Sequence, residues 1–241
     1  MDAQVKSELR EHYDRLAASY DKSYRRSAGQ YFMNRKVDTM LGLATFVPGS
    51  RLLEVGCASG VYTFELARRG FHVTGLDLSP KCIRTAAQKA EQVGLTNVSF
   101  AVGDAEELSQ FDDSVFDGIF SFSTLRYVSD PLKAMRAIYR VLRPGGVAVV
   151  DFPNKWSPWF TFLKPLVTGE THIHDHQYTT AQVKRMLQDA GFQEISARRI
   201  LYTHKSMPDW SLPVMKVIDY VGERLPGLNH CASIIMARGR K

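Results

Sequence analysis

Cysteine is scarce in this chain, and what is missing narrows the possibilities first. Cys57, Cys82 and Cys231 are few, scattered and odd in number, with no Cys-x-x-Cys pair. That excludes a disulfide framework and points to reduced thiols. No apolar run reaches the roughly 20 residues that a membrane-crossing helix needs. The opening residues Met1-Asp2-Ala3-Gln4-Val5-Lys6 are polar and lack the apolar region of a secretory signal, so a cytoplasmic location is expected. Long basic runs are missing too. The formal charge is +6, yet the densest spots, Arg25-Arg26, Arg198-Arg199 and Arg238 to Lys241, are short. Elsewhere Lys and Arg alternate with acids, which suits ordinary solubility better than a nucleic-acid footprint.

What is present is a repeated alternation of strand and helix. Leu52-Leu53-Glu54-Val55 suits a buried parallel strand, and Gly56-Cys57-Ala58-Ser59-Gly60 follows as a loop of small residues. An amphipathic helix comes next, with Val61, Phe64, Leu66 and Ala67 set against Arg68 and Arg69. Such a turn lets backbone N–H groups approach a ligand, because glycine has no Cβ to hold it away. His72 to Asp77 reads as the next strand, and in a doubly wound sheet its terminal Asp77 reaches the same crevice, within reach of a ribose. A dinucleotide fingerprint fits poorly: starting Gly-x-Gly-x-x-Gly at Gly56 puts Ala58 and Val61 where glycines belong.

The pattern acid-x-Gly-x-small-x-Gly, from Glu54 to Gly60, resembles the first motif of class I S-adenosylmethionine-dependent methyltransferases. The resemblance continues in order. Val98 to Ala105 is similar to the third strand and its acidic loop, Phe116 to Ser123 to the fourth strand, and Arg140 to Val150 to the helix, Pro-Gly-Gly turn and fifth strand. More loosely it takes in Tyr13-Asp14-x-x-Ala17-x-x-Tyr20-Asp21 and Tyr178 to Phe192, features of the small-molecule branch that includes ubiquinone, menaquinone and natural-product methyltransferases. It implies an α/β fold: a Rossmann-like seven-stranded sheet of six parallel strands and an antiparallel last strand, lying between the fifth and sixth, with helices on both faces. One domain over residues 1–241 is expected: a helical cover at 1–48, a cofactor-binding core at 51–151, and lid insertions at 152–177 and 203–230. Helices are expected from about Gln30 to Phe46 and Pro213 to Leu225, a capping box at Thr179-x-x-Gln182 opening a helix to Ala190, and strands at Gln193 to Leu201 and Cys231 to Ala237.

The resemblance assigns S-adenosyl-L-methionine as cofactor. Glu54, Gly56, Cys57, Ala58 and Gly60 would surround its methionine part, and Asp77 and Leu78 its ribose. Asp104 and Ala105 would hold adenine, Ser121 and Phe122 would line the sulfonium side, and Tyr20 would close over them. Small-molecule relatives often carry His-x-x-Asp after the fourth strand; here the stretch is Tyr127-Val128-Ser129-Asp130. Tyr127 or Arg126 is therefore expected opposite the substrate, with His176 as the candidate base. His172, His174 and His176 alternate as strand residues do, but no zinc-motif spacing accompanies them and no metal is expected.

The expected partner is a small, apolar or aromatic metabolite methylated at oxygen or activated carbon. Ser121-Phe122-Ser123-Thr124 stands where amino-methylating nucleic-acid enzymes carry an Asp/Asn-Pro-Pro-aromatic motif, which disfavours nucleic acid. The alternatives are an RNA-modifying methyltransferase, a non-catalytic binding protein that keeps the fold, and an NAD oxidoreductase. Peripheral membrane contact stays open: Val214, Val217, Ile218, Val221 and Leu225 make one apolar face, but Asp209, Asp219 and Glu223 accompany Lys216 and Arg224.

Overall fold

A computed structural model describes residues 3–160 and 176–241. Seven strands form one sheet in the order β3-β2-β1-β4-β5-β7-β6. They are β1 (Arg51–Val55), β2 (His72–Asp77), β3 (Val98–Val102), β4 (Phe116–Ser121), β5 (Leu142–Pro153), β6 (Gln193–Ile200) and β7 (Ile234–Arg240). β1 to β5 pair in parallel, while β7 runs antiparallel between β5 and β6. The expected topology is the one observed.

The helices among the described residues are α1 (Ala3–Leu16), α2 (Lys22–Arg25), α3 (Ser27–Leu43), α4 (Val61–Arg68), α5 (Pro80–Gln92), α6 (Pro131–Val141), α7 (Thr180–Asp189) and α8 (Leu212–Gly222). Successive strand residues point to opposite faces. Leu53, Val55 and Ile119 pack towards Met135, Ile138, Val183 and Leu187 of α6 and α7. Leu52 and Phe120 pack towards Val37, Met40 and Leu66 of α3 and α4. The sheet is thus buried on both faces, and its strands read as apolar runs rather than alternating ones.

Local signals account for the boundaries. Ser79 Oγ accepts from Cys82 N at 3.0 Å, with Pro80 at the first helical position, so Ser79 and not Asp77 caps α5. The capping box at Thr179 and Gln182 forms in both directions. Strand pairing jumps from Phe116↔Leu142 to Gly118↔Val147, so the Pro144-Gly145-Gly146 turn bulges inside β5, with Gly145 at φ +78°.

Three boundaries differ from the sequence reading. The helix expected from Gln30 starts at Ser27 and ends at Leu43. Residues 228–231 form a 3₁₀ turn, and the last strand lies three residues later than expected, at Ile234–Arg240. Arg238 and Arg240 belong to β7, pairing with both β5 and β6, and their side chains reach Glu194 at 3.2 and 3.4 Å. The helix expected at Pro213 to Leu225 spans Leu212–Gly222, and its apolar face points to solvent.

Candidate active site

At the C-terminal ends of β1, β2 and β4 the chain forms a cleft. Gly56, Ala58, Asp77, Leu78 and Ala105 wall it on the sheet side; Leu9, Tyr13 and Tyr20 close it from the N-terminal segment. The turn after β1 is tightly made. Gly56 has φ +82°, and a Cβ there would lie 2.1 Å from Thr124 Oγ1. Only glycine fits that approach. Ala58 also sits in the left-handed region, at φ +45°, and its N–H donates to Asp77 Oδ2 at 2.8 Å. Asp77 Oδ1 accepts from Ser79 N at 2.9 Å. This carboxylate therefore ties the loops after β1 and β2 together at the cleft wall. Burial raises its pKa, and the backbone donors Ser79 and Ala58 oppose the rise.

Three phenols meet over the cleft. Tyr13 lies 6.3 Å from Tyr20 and 6.2 Å from Tyr127, centroid to centroid. Burial pushes the pKa values of Tyr13 and Tyr20 well above the ordinary value, so they stay protonated donors and not bases. Lys6 of α1 pairs with Asp104 and lies 3.4 Å from Glu106, which fastens the cover to the loop after β3.

Glu54 is placed differently from the loop it precedes. It is buried behind the cleft, where its Oε2 accepts from Thr63 Oγ1. Burial raises its carboxyl pKa to about 8 from an ordinary 4.5. The proton is held more tightly in the folded chain, so the stability this contributes is complete below pH 4.5 and is lost as pH rises through about 8. We expect Glu54→Gln to gain stability relative to the native chain between those limits, with the gap levelling off above them. Urea denaturation across that pH range measures this; a gap that does not vary with pH would show Glu54 ionised throughout.

Cys57, Gly60, Ser121 and Phe122 support the cleft without lining it. A Cβ at Gly60 would sit 2.9 Å from the Phe64 ring, Ser121 Oγ donates to Val55 O at 2.8 Å, and Phe122 packs edge-on against Tyr62 at 5.0 Å. Cys57 is buried, and burial drives its thiol pKa well up.

A second cavity adjoins the first, and Ser123 lines both. Phe32, Phe152 and Phe160 give it apolar walls; Arg126, Asp151 and His204 supply polar groups. Arg126 is buried, 4.8 Å from the Phe160 ring centroid. His204 stacks on Trp159 at 4.6 Å, and its Nδ1 accepts from Ser206 N at 3.3 Å. His176 is exposed, and its backbone N–H donates to Arg126 O at 3.1 Å. His172 and His174 lie outside the described residues, as does most of the 152–177 insertion. Within that insertion, Ser157 Oγ accepts from Trp159 N at 3.2 Å.

Beneath Ser123 lies an arrangement that sequence reasoning missed. Lys36 of α3 is completely buried, with its Nζ 2.7 Å from Asp151 Oδ2 and 2.8 Å from Ser123 Oγ. The rings of Phe32, Phe122 and Tyr62 surround the ammonium at 4.8 to 5.8 Å. Ser123 N donates to Asp151 Oδ1 at 2.6 Å, and this clamp holds Ser123 at φ +59°. Burial lowers the pKa of Lys36, and Asp151 opposes the fall. A lone lysine on a helix gives no sign of this, because its carboxylate partner lies far along the chain.

Residues 47–191 match the family described as a methyltransferase domain. The chain belongs to the class I S-adenosylmethionine-dependent methyltransferase family. Ubiquinone biosynthesis O-methyltransferase of Psychrobacter arcticus is 31% identical over 160 residues, covering 63% of this chain and 61% of that one. The S-adenosyl-L-methionine-dependent Diels-Alderase iccD of Talaromyces variabilis is 28% identical over 226 residues, covering 84% and 73%. Among solved structures, the [4+2]-cyclase SpnF superposes with a TM-score of 0.73 at 22% identity, over 97% of this chain and 94% of that one. The chain spans about three fifths of the length of the ubiquinone enzymes, at 61 and 63% of two of them. The cleft fits the family's cofactor in its Cβ-free approach at Gly56 and in the Asp77 carboxylate at its wall.

Proposed function

We propose that this methyltransferase moves a methyl group from S-adenosylmethionine to oxygen or activated carbon of a small, apolar or aromatic metabolite. The observation that carries the reading is the meeting of two cavities at Ser123, one glycine-walled and one aromatic. S-adenosylmethionine, when bound, supplies a sulfonium-activated methyl that needs only an aligned nucleophile. The chain's work is then alignment and exclusion of water, which together can supply roughly 7–11 kcal/mol.

In this reading Gly56 and Ala58 bind the methionine part through their backbone, Asp77 and Leu78 bind the ribose, and Asp104 and Ala105 face adenine. Lys6 occupies Asp104 while α1 is closed. Entry of the cofactor therefore requires α1 to lift, and Tyr13, Tyr20 and Tyr127 reseal the cleft. Removing residues 1 to 21 should leave the sheet folded but cut turnover by at least tenfold, since covers exclude water and complete a site. Circular dichroism and kinetics on the shortened chain test this, and unchanged turnover would refute it.

In the second cavity Arg126 and His204 orient the acceptor against Phe32 and Phe160. The backbone donor on Nδ1 sets the neutral His204 ring to carry its proton on Nε2, as a donor. We expect His204→Ala to lower turnover more than His176→Ala does, because His204 lines the cavity and His176 is exposed.

The direct test is calorimetry with S-adenosylhomocysteine, followed by mass spectrometry of quinol and phenol acceptors with labelled S-adenosylmethionine. Micromolar binding and a labelled product support the proposal. Absence of binding would end it. Binding with a rearranged product of unchanged mass would assign instead the ring-forming chemistry named for iccD and SpnF.

A further inference from the structure

α8 inverts the usual arrangement of a surface helix. Its apolar residues face solvent: Val214 and Val217 are each 61% exposed, Tyr220 62%, and the neighbouring Trp210 82%. Its carboxylates face the protein. Asp219 is buried and accepts from Tyr202 N, Thr203 N and Thr203 Oγ1 at 2.5, 3.0 and 2.5 Å. Glu223 accepts from Arg35 Nη2 at 2.6 Å and Leu201 N at 2.9 Å. Asp209, which precedes α8, is half-exposed; it accepts from Ala28 N at 3.0 Å and lies 3.8 Å from Arg26. These are all the acids between residues 205 and 230. The ordinary opposition of an apolar inner face and a charged outer one is therefore reversed on α8, where Asp219 and Glu223 turn inward and Lys216 and Arg224 stay outside. Lys216 and Arg224 are exposed, the first over the Tyr31 ring and the second 3.8 Å from the Tyr220 ring centroid.

An apolar face of this extent marks a contact surface, and its charge selects the occupant. A second copy docking through a two-fold axis would set the patch against itself. Lys216 and Arg224 would then meet like charge, with Asp219 and Glu223 already committed inward. An anionic bilayer offers the complement: an apolar interior for Val214, Val217 and Val221, a headgroup layer that suits Trp210 and Tyr220, and negative charge for Lys216 and Arg224. We propose that α8 is a docking surface for an anionic lipid bilayer, lying in the plane of the headgroups. The surface stands independently of the methyl-transfer reading, though Asp219 ties it directly to Thr203 in the wall of the second cavity.

The test is sedimentation of the full chain with vesicles of phosphatidylcholine, with and without phosphatidylglycerol. The chain should sediment with the anionic vesicles and remain largely in solution with the neutral ones. Val214→Ser, Val217→Ser and Tyr220→Ser combined should lower partitioning by about tenfold or more. Lys216→Glu with Arg224→Glu should lower it on anionic vesicles as well. All five positions are exposed, so the fold should persist, and circular dichroism checks it. No sedimentation of the native chain with anionic vesicles at low salt would overturn the proposal, as would undiminished binding by the triple variant. A concentration-dependent dimer in analytical ultracentrifugation, abolished by the same triple change, would assign the face to a second copy instead. S-adenosylhomocysteine calorimetry on the same samples separates the two readings: vesicle binding without nucleoside binding removes the proposed function alone, and the converse removes the docking surface alone.

Discussion

Lys36→Ala should be the most destabilising single change near the site, costing about 3–5 kcal/mol in urea denaturation at neutral pH. The side chains of Lys36 and Asp151 are 0% and 3% exposed, and removing the ammonium leaves a carboxylate in the interior without its counter-charge. Ser123 is affected too. Its left-handed backbone is held by Lys36 on the hydroxyl and Asp151 on the N–H, so losing one clamp frees the wall shared by both cavities. Lys36→Met with Asp151→Asn should recover most of the loss, because the amide oxygen can still accept from Ser123 N and no net charge is left buried. A double-mutant cycle reads the coupling. A Lys36→Ala chain within about 1 kcal/mol of the native one would show that the buried pair contributes little to stability.

Asp77→Ala should weaken S-adenosylhomocysteine binding by about a hundredfold, close to 3 kcal/mol. Two losses combine. The proposed ribose contact disappears, and so does the acceptor that ties Ala58 N to Ser79 N across the cleft. Asp77→Asn separates them: its amide oxygen can keep one loop in place, while the charge-assisted bonds to the ribose are lost. We expect its affinity between the two. Calorimetry measures the affinities, and thermal denaturation without ligand reports the loop anchoring alone. Native affinity in Asp77→Ala would move the ribose site away from the end of β2.

The parallel core was legible in the sequence because it is written locally. Each βα unit spells out its own strand, its glycine turn and its cap, as Leu52 to Gly60 and Ser79-Pro80 do. What escaped was set by distant partners. Lys36 on a helix reads as a solvated charge until Asp151 meets it from β5. The valines of α8 have the same spacing whether they face in or out, and only the bonds from Thr203 to Asp219 and from Arg35 to Glu223 settle which. His204 gave no signal at all, because its place at the second cavity comes from a loop that returns beside Phe32, with ring centroids 5.6 Å apart. The first turn was readable in its glycine spacing, yet the inward position of Glu54 was not, since it depends on Thr63 one helix later.

The place of β7 also orders events during synthesis. β7 leaves the ribosome after β6 but occupies the slot between β5 and β6, and among the described residues β6 pairs with no other strand. Strands β1 to β5, which carry the glycine turn, Asp77 and Ser123, can assemble as soon as they emerge. β6 has to wait, unpaired, until residues 234–240 arrive to bridge it to the rest. A nascent chain stalled before that point would hold a formed cleft beside an open sheet edge along β5, the edge that a chaperone, or a neighbouring nascent chain, would meet first.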